Sequence, residues 1–364
     1  MAADETLTGP AGSAHQRVPD RSDKERRIER ISIIAPMLNE AAHVEQFVAD
    51  VAAQDFTGQV EVLVADGGST DGSVELLQSA AARTGLDLTV LPNPARWVSQ
   101  GLNACIRRAS GDLLVRLDCH SRYPPDYVRL CARATEESDA LAVGGIVVPR
   151  GHTPTERAVA CAMDSPFGGI GWMQNTAETV RRESDVLTYG AFLPEAFQRV
   201  GLFDESLLRN QDDEFTLRIR RAGGRLLLDS RIKVGYTPRG SYRGVFRQYF
   251  QYGFWKVRVM QKHRQVLSGR SLAPPAFVMS LAVLASASVF IPLAAAMLML
   301  ELAAYTCGAL FFGLRTVHAR REPLRLLVRV VAVYPTFHVA YGLGLLWGLL
   351  RIGGSQSKQA PILA

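Results

Sequence analysis

The sequence predicts an α/β fold, a Rossmann-like, mostly parallel sheet, followed by C-terminal transmembrane α-helices. Three observations carry this. From Ile31 onward, short β-branched apolar runs alternate with helix-length amphipathic segments, the pattern of a parallel sheet covered on both faces. Charged residues are frequent up to Arg270 and rare after it. The uncharged stretches beyond that point reach the ~20 residues that a bilayer crossing requires.

The elements follow in order. ISIIAP reads as a buried strand, AAHVEQFVADVAAQ as an amphipathic helix, and VEVLVAD as a second strand. Residues 71–83 form a second helix, LDLTVLP a third strand, WVSQGLNACIRRA a third helix and DLLVRLD a fourth strand. LAVGGIVV is a further strand, and a Gly-rich loop, SPFGGIGWM, follows at 165–173. TYGAFLPEAFQRVGLFDE reads as a turn and helix, NQDDEFTLRIRRAGG as a helix and RLLLDS as a strand. Residues 242–263 make a long amphipathic helix rich in aromatic and basic residues.

The apolar run 272–314, broken only by Glu301, accommodates two crossings, about 272–293 and 294–314; residues 330–350 supply a third. A hairpin is preferred because one long crossing would export the Arg-rich loop 315–329. The expected organisation is therefore a disordered polar tail (1–29), a globular domain (30–240), a basic membrane-proximal helix (241–271), three transmembrane helices (272–350) and a short tail (351–364). The first 29 residues lack the apolar core of a signal peptide.

A net charge of +6 points to an anionic partner, and the basic clusters flank apolar runs, which favours a membrane over nucleic acid. Five scattered cysteines without a CxxC pair argue against a zinc knuckle or disulfide framework and fit a reducing cytoplasm.

Ligands of such sheets bind beyond the carboxyl ends of the strands. Asp66 follows the second strand, where a carboxylate can grip a nucleoside; DGGSTDGS is equally a well-capped turn. Asp118 and His120 end the fourth strand. In extended geometry they face one side and suit a divalent metal, Mn²⁺ or Mg²⁺; a turn-capping Asp beside a surface His is the plainer reading. Asp212 lies in a helix first turn, either as a dipole-stabilised start or as a general base facing a pocket. No GxGxxG occurs, which disfavours a dinucleotide enzyme.

Taken together, SIIAPMLNE, VLVADGGSTDGS, LNACIRRASGDLLVRLD and GLFDESLLRNQDDEFTLRIRRAGG resemble the family 2 glycosyltransferases of GT-A fold over about residues 31–260. The branch of the succinoglycan-synthesis glucosyltransferase is similar in its Asp-x-His, its Asn-Gln-Asp-Asp-Glu helix start, and its Tyr-x-Pro-Arg before a Gln-Tyr…Trp helix; here these are 118–120, 210–214, 236–239 and 248–255.

The resemblance implies that Pro36, Asn39, Glu40 and Asp66 bind the donor nucleoside, that Asp118 and His120 hold the metal, and that Asp212 is the base. Gly190, Asp213, Arg239, Gln248 and Trp255 are candidates for the acceptor or donor-sugar pocket. The QxxRW motif of processive relatives is missing, since Phe254 precedes Trp255. The implied protein is an inverting, metal-dependent hexosyltransferase in the cell membrane. Its catalytic domain faces the cytoplasm, its donor is a nucleotide sugar and its acceptor a lipid-linked saccharide. Rival readings are a polyprenyl-phosphate sugar synthase, whose ionised acceptor needs no base, and a membrane protein that binds nucleotide sugar without turnover.

Overall fold

The structure is a computed structural model that describes residues 26–169, 179–264 and 269–351. Most of the expected tail 1–29, the tail 352–364 and part of the Gly-rich loop 165–173 lie outside the described residues.

The first half alternates as its periodicity requires: β1 (Arg30–Met37), α1 (Val44–Ala52), β2 (Gln59–Asp66), α2 (Ser73–Thr84), β3 (Leu88–Pro92), α3 (Val98–Arg108) and β4 (Leu113–Arg116). Then come α4 (Tyr127–Glu136), β5 (Ala142–Pro149), α5 (Pro154–Asp164), β6 (Arg181–Glu183), β7 (Ala191–Phe192), α6 (Pro194–Val200), α7 (Gln211–Arg221) and β8 (Leu226–Tyr236). The chain closes with α8 (Tyr242–His263), α9 (Ala273–Ser288), α10 (Pro292–Ala319) and α11 (Leu327–Leu350).

The eight strands form one sheet in the order β3-β2-β1-β4-β7-β5-β8-β6. Strands β3, β2, β1 and β4 are parallel, as are β5 and β8; β7 and β6 pair antiparallel. The chain winds outward from β1 through β2 to β3, then returns to the other side of β1 as β4. This reversal opens a crevice beyond the carboxyl ends of β1 and β4.

Strands β6 and β7 escape pattern reading because three and two residues show no period. Strand β6 is held on the edge by Arg181, which pairs with the buried Asp229 of β8. Helices α4 and α5 were also not anticipated. Helix α5 carries a Thr153–Glu156 capping box with Pro154 at its first turn.

The apolar C-terminal segments are helical with different breaks. The first two are separated at residues 289–291, because Pro292 is best placed at the first position of α10, where its missing N–H is not needed. Helix α10 runs on to Ala319, and among the described residues three helices are long and apolar enough to cross a membrane.

Helix α8 does not keep its apolar face for a membrane surface. That face, including Val245, Phe254 and Val257, is buried, and α11 covers it at very close range. A Cβ built on Gly253 would stand 2.2 Å from the carbonyl oxygen of Tyr341, and one on Gly344 2.0 Å from that of Phe250. Tyr249 stacks on Phe337 with ring centroids 4.0 Å apart. Phe167, just after α5, inserts among Tyr305, Phe312, Tyr334 and His338. Ion pairs Arg157–Glu322 and Arg320–Asp164 tie α5 to the end of α10.

Backbone atoms opposite Gly253 cannot swing aside as a side chain would. Gly253→Val is expected to destabilise the protein by at least about 2 kcal/mol, read as a lowered thermal midpoint in detergent. Gly269→Ala is the control, since its Cβ would meet nothing within 4 Å.

Candidate active site

The site is assembled at the crevice. Where β1 ends, Asn39 adopts a left-handed conformation (φ 54°). Its N–H donates to Ser69 Oγ (2.8 Å) and its Oδ1 accepts from the Thr70 N–H (2.9 Å). The Glu40 N–H donates to Ser73 Oγ (2.8 Å). Asp66 accepts from the N–H groups of Gly68 and Ser69 and from the Ser69 hydroxyl (2.6 Å). These bonds knit the β1–α1 and β2–α2 turns together. The N-cap of α2 is Gly72, with no side-chain cap bond, and Asp71 instead accepts from the Ala41 and Ser73 N–H groups.

A cavity of about 1540 Å³ lies beside these turns. A pocket for one small ligand is typically ~300–1,000 Å³, so there is room for two substrates. Of the expected residues, Pro36, Glu40, Asp118, His120, Asp212, Asp213, Arg239, Gln248 and Trp255 line it. Asn39, Asp66 and Gly190 are not among the lining residues. The first two spend their polar atoms on the turns. Gly190 is buried behind the wall, where a Cβ would meet the Phe192 ring at 2.7 Å and where its carbonyl accepts from the Arg116 N–H.

Strand β4 stops at Arg116, so Asp118 and His120 are not in the extended geometry expected of them; the chain already turns, with the Ser121 N–H bonded to the Asp118 carbonyl. His120 is oriented by long-range pairing instead. Its Nδ1 lies 2.9 Å from Glu40 Oε1, and that hydrogen bond raises its pKa. A carboxylate on Nδ1–H leaves Nε2 as a lone-pair donor, the usual second-shell arrangement of a metal-binding histidine. With the half-buried Asp118 this makes a two-donor set that would suit a divalent cation. Among the described residues no group of three or more metal-type side chains occurs.

The residue that composition and motif reading passed over is Arg116. Its side chain is 8% exposed, and its guanidinium stands 3.5 Å from Asp118 and over the Tyr189 ring. Its charge also acts on Asp212, and its Nε has no partner. The signal was present as a cation inside an otherwise apolar strand.

Asp212 sits in the first turn of α7, after Asn210 in a left-handed conformation (φ 59°). Burial raises its pKa above the usual carboxylate range, the neighbouring Asp213 adds to the rise, and Arg116 opposes it. Asp213 is paired with Lys256 of α8 at 2.7 Å. The next acid, Glu214, is fully buried, ion-paired with Arg218 and Lys262 and hydrogen-bonded to His263; against the effect of burial these partners hold its pKa low. Gln248 Nε2 donates to the hydroxyls of Tyr236 (3.1 Å) and Tyr252 (2.9 Å). Phe337, His338 and Tyr341 of α11 complete the wall, a contribution that no local motif announces.

Comparison with known proteins accords with this arrangement. Residues 32–190 match the glycosyl transferase family 2. The succinoglycan biosynthesis protein ExoA of Rhizobium meliloti is 32% identical over 247 residues, 66% of this chain and 73% of that protein. A dolichyl N-acetyl-alpha-D-glucosaminyl phosphate 3-beta-D-2,3-diacetamido-2,3-dideoxy-beta-D-glucuronosyltransferase of Methanococcus voltae is 24% identical over 240 residues, 64% of this chain and 74% of that protein. Among solved structures, a mannosyltransferase of Pyrobaculum calidifontis in complex with GDP-Man and Mn²⁺ has a TM-score of 0.63 at 20% identity, covering 92% of this chain and 91% of that one. With its crevice at the switch point of a mostly parallel sheet and its similarity to the succinoglycan branch, the chain belongs to the family 2 glycosyltransferases and has the GT-A fold.

Proposed function

We propose that the protein is an inverting hexosyltransferase attached to the cell membrane through its apolar helices, with the catalytic domain on the cytoplasmic side. It moves a hexose from a nucleotide-diphosphate sugar, read as a UDP-sugar, to a hydroxyl of a lipid-linked saccharide in cell-surface polysaccharide synthesis. One observation carries the reading: a carboxylate with a raised pKa, Asp212, lines the same large cavity as Asp118 and His120, and apolar helix α11 forms a wall of it. The names of the relatives support it, one in succinoglycan biosynthesis and one acting on a dolichyl-linked sugar phosphate.

The chemistry follows from the residues. Asp212 takes the proton of the acceptor hydroxyl as its oxygen attacks the anomeric carbon. The bond from that carbon to the diphosphate oxygen breaks on the opposite face, and the electron pair leaves with the nucleoside diphosphate. One displacement inverts the anomeric centre. Asp118 and His120 would hold Mn²⁺ or Mg²⁺, which neutralises the charge growing on the leaving diphosphate. Arg116 keeps positive charge beside both Asp118 and Asp212. Asp213 and Lys256 frame the acceptor side as an ion pair.

Asp212→Asn is expected to lower turnover at least about 100-fold while donor binding persists; nucleotide release and calorimetric donor binding measure the two. Turnover that survives would point to an acceptor that is already ionised, a polyprenyl phosphate. Asp118→Ala should abolish turnover, and activity of the wild type in chelator would exclude the metal role of Asp118 and His120. The base must be ionised, so kcat should fall as pH drops through the raised pKa of Asp212. Asp213→Asn removes a neighbouring negative charge and should move that acid limb to lower pH; an unmoved limb would take the base role away from Asp212.

A further inference from the structure

Among the described residues three helices have the length and apolarity to cross a bilayer, and three crossings would leave Arg351 on the face opposite the catalytic domain. The third helix is unlike the other two. Helix α11 runs beside α8 in the same direction along its whole length. The Tyr242 hydroxyl donates to the Arg329 carbonyl, Tyr249 stacks on Phe337, Gly253 abuts Tyr341 and Leu345, and Val257 abuts Gly348. Helix α8 carries Arg243, Arg247, Lys256, Arg258 and Lys262 over this span. Lys256 and Lys262 are paired with Asp213, Asp204 and Glu214 of the sheet domain. A helix packed this way could not reach the hydrocarbon without drawing the cations of α8, and the acids that hold them, in with it. Its midpoint residues Phe337, His338 and Tyr341 also line the cavity that contains Asp212, which has to admit water-soluble substrates.

The α9–α10 pair has the opposite character. Between Arg270 and Arg315 the only charge is Glu301, and that carboxylate accepts from Ser280 on the other arm. Its turn is apolar and open: Val289 is 74%, Phe290 85% and Leu293 68% exposed. At 1.5 Å per residue α9 is about 24 Å long, and residues 292–304 of α10, up to the point where Tyr305 meets Phe167 and His338, about 20 Å, so the hairpin reaches well into a hydrocarbon core of about 30 Å. Arg315 and Arg321, both exposed, lie at the base end of α10, where anionic headgroups would meet them.

We propose that only the α9–α10 hairpin enters the hydrocarbon of the bilayer, and that α11 stays on the catalytic side as a wall of the cleft, so that Arg351 and the catalytic domain share one face. The proposal rests on the membrane attachment inferred above and replaces three crossings by a hairpin whose two ends return to the same side. It also puts the mouth of the cavity next to the hairpin base, at the height of lipid headgroups.

The test is cysteine accessibility in the full chain. Cys307 is exposed and is replaced by Ser; the other four cysteines are buried. Single cysteines are then placed at Leu350→Cys, at Gln78→Cys on α2 as the marker of the catalytic side, and at Phe290→Cys in the hairpin turn. Sealed vesicles of each orientation are treated with a membrane-impermeant maleimide, and carbonate washing reports separately on membrane attachment.

The expected result is retention after carbonate, with positions 78 and 350 labelled from the same side. Labelling of 350 only from the side opposite to 78 would overturn the proposal, as would a cysteine at 350 that reacts only after detergent. Loss of the protein from carbonate-washed membranes would instead remove the attachment itself. If Leu350→Cys does not accumulate, a tag fused after Ala364 gives the same answer by protease: it should be cut from the side on which position 78 is labelled. In the Phe290→Cys protein the turn should resist the reagent from the catalytic side.

Discussion

The guanidinium of Arg116 is the constraint on which the site depends. It is buried at the end of β4 beside Asp118, and its charge reaches Asp212 at the start of α7. Carboxylates gathered in a desolvated crevice repel one another and tend to protonate. A fixed cation among them lets them converge and opposes the rise in the pKa of Asp212 that burial and Asp213 produce. A buried charge without partners would be costly; here the Tyr189 ring, Asp118 and Asp212 share it.

Around that centre, motif residues do two kinds of work. Asn39, expected to touch the donor, reaches across to Ser69 and Thr70 of the β2–α2 turn, and Asp66, expected to do the same, accepts from Gly68 and Ser69 of its own turn. The bonds of Asn39, with that of the Glu40 N–H to Ser73, hold the turn from which Glu40 projects. Glu40 in turn orients His120 across 80 residues of chain. A polar strand-end residue can thus matter to a site by shaping the loop that delivers another side chain.

The helices after the sheet extend the same logic. Helix α8 presents Lys256 to Asp213 and Lys262 to Glu214, while its Gly253 and Gly344 of α11 let the two helices approach to backbone contact. The cleft therefore acquires one wall, Phe337 to Tyr341, from a segment whose composition alone resembles a membrane span. Packing, and not hydropathy, decides what such a helix faces.

The pattern of β-branched runs and amphipathic segments determined β1 to β5, β8, α1 to α3 and α6 to α8 by itself, because side-chain period is a local property. The motif order likewise identified the family, and the residue types at 118, 120 and 212 marked the crevice. Tertiary structure decided the rest, for reasons that lie in partners distant in sequence. Strands β6 and β7 exist only through their neighbours, being too short to carry a period. The placement of His120 beside Asp118 came from Glu40 and a turn, since β4 ends two residues before Asp118. The bonding of Asp66 and Asn39 to the Gly68–Thr70 turn depended on partners that no residue type reveals. The role of α11 rests on two backbones meeting at Gly253 and Gly344, a contact between segments about 90 residues apart that only the folded chain creates.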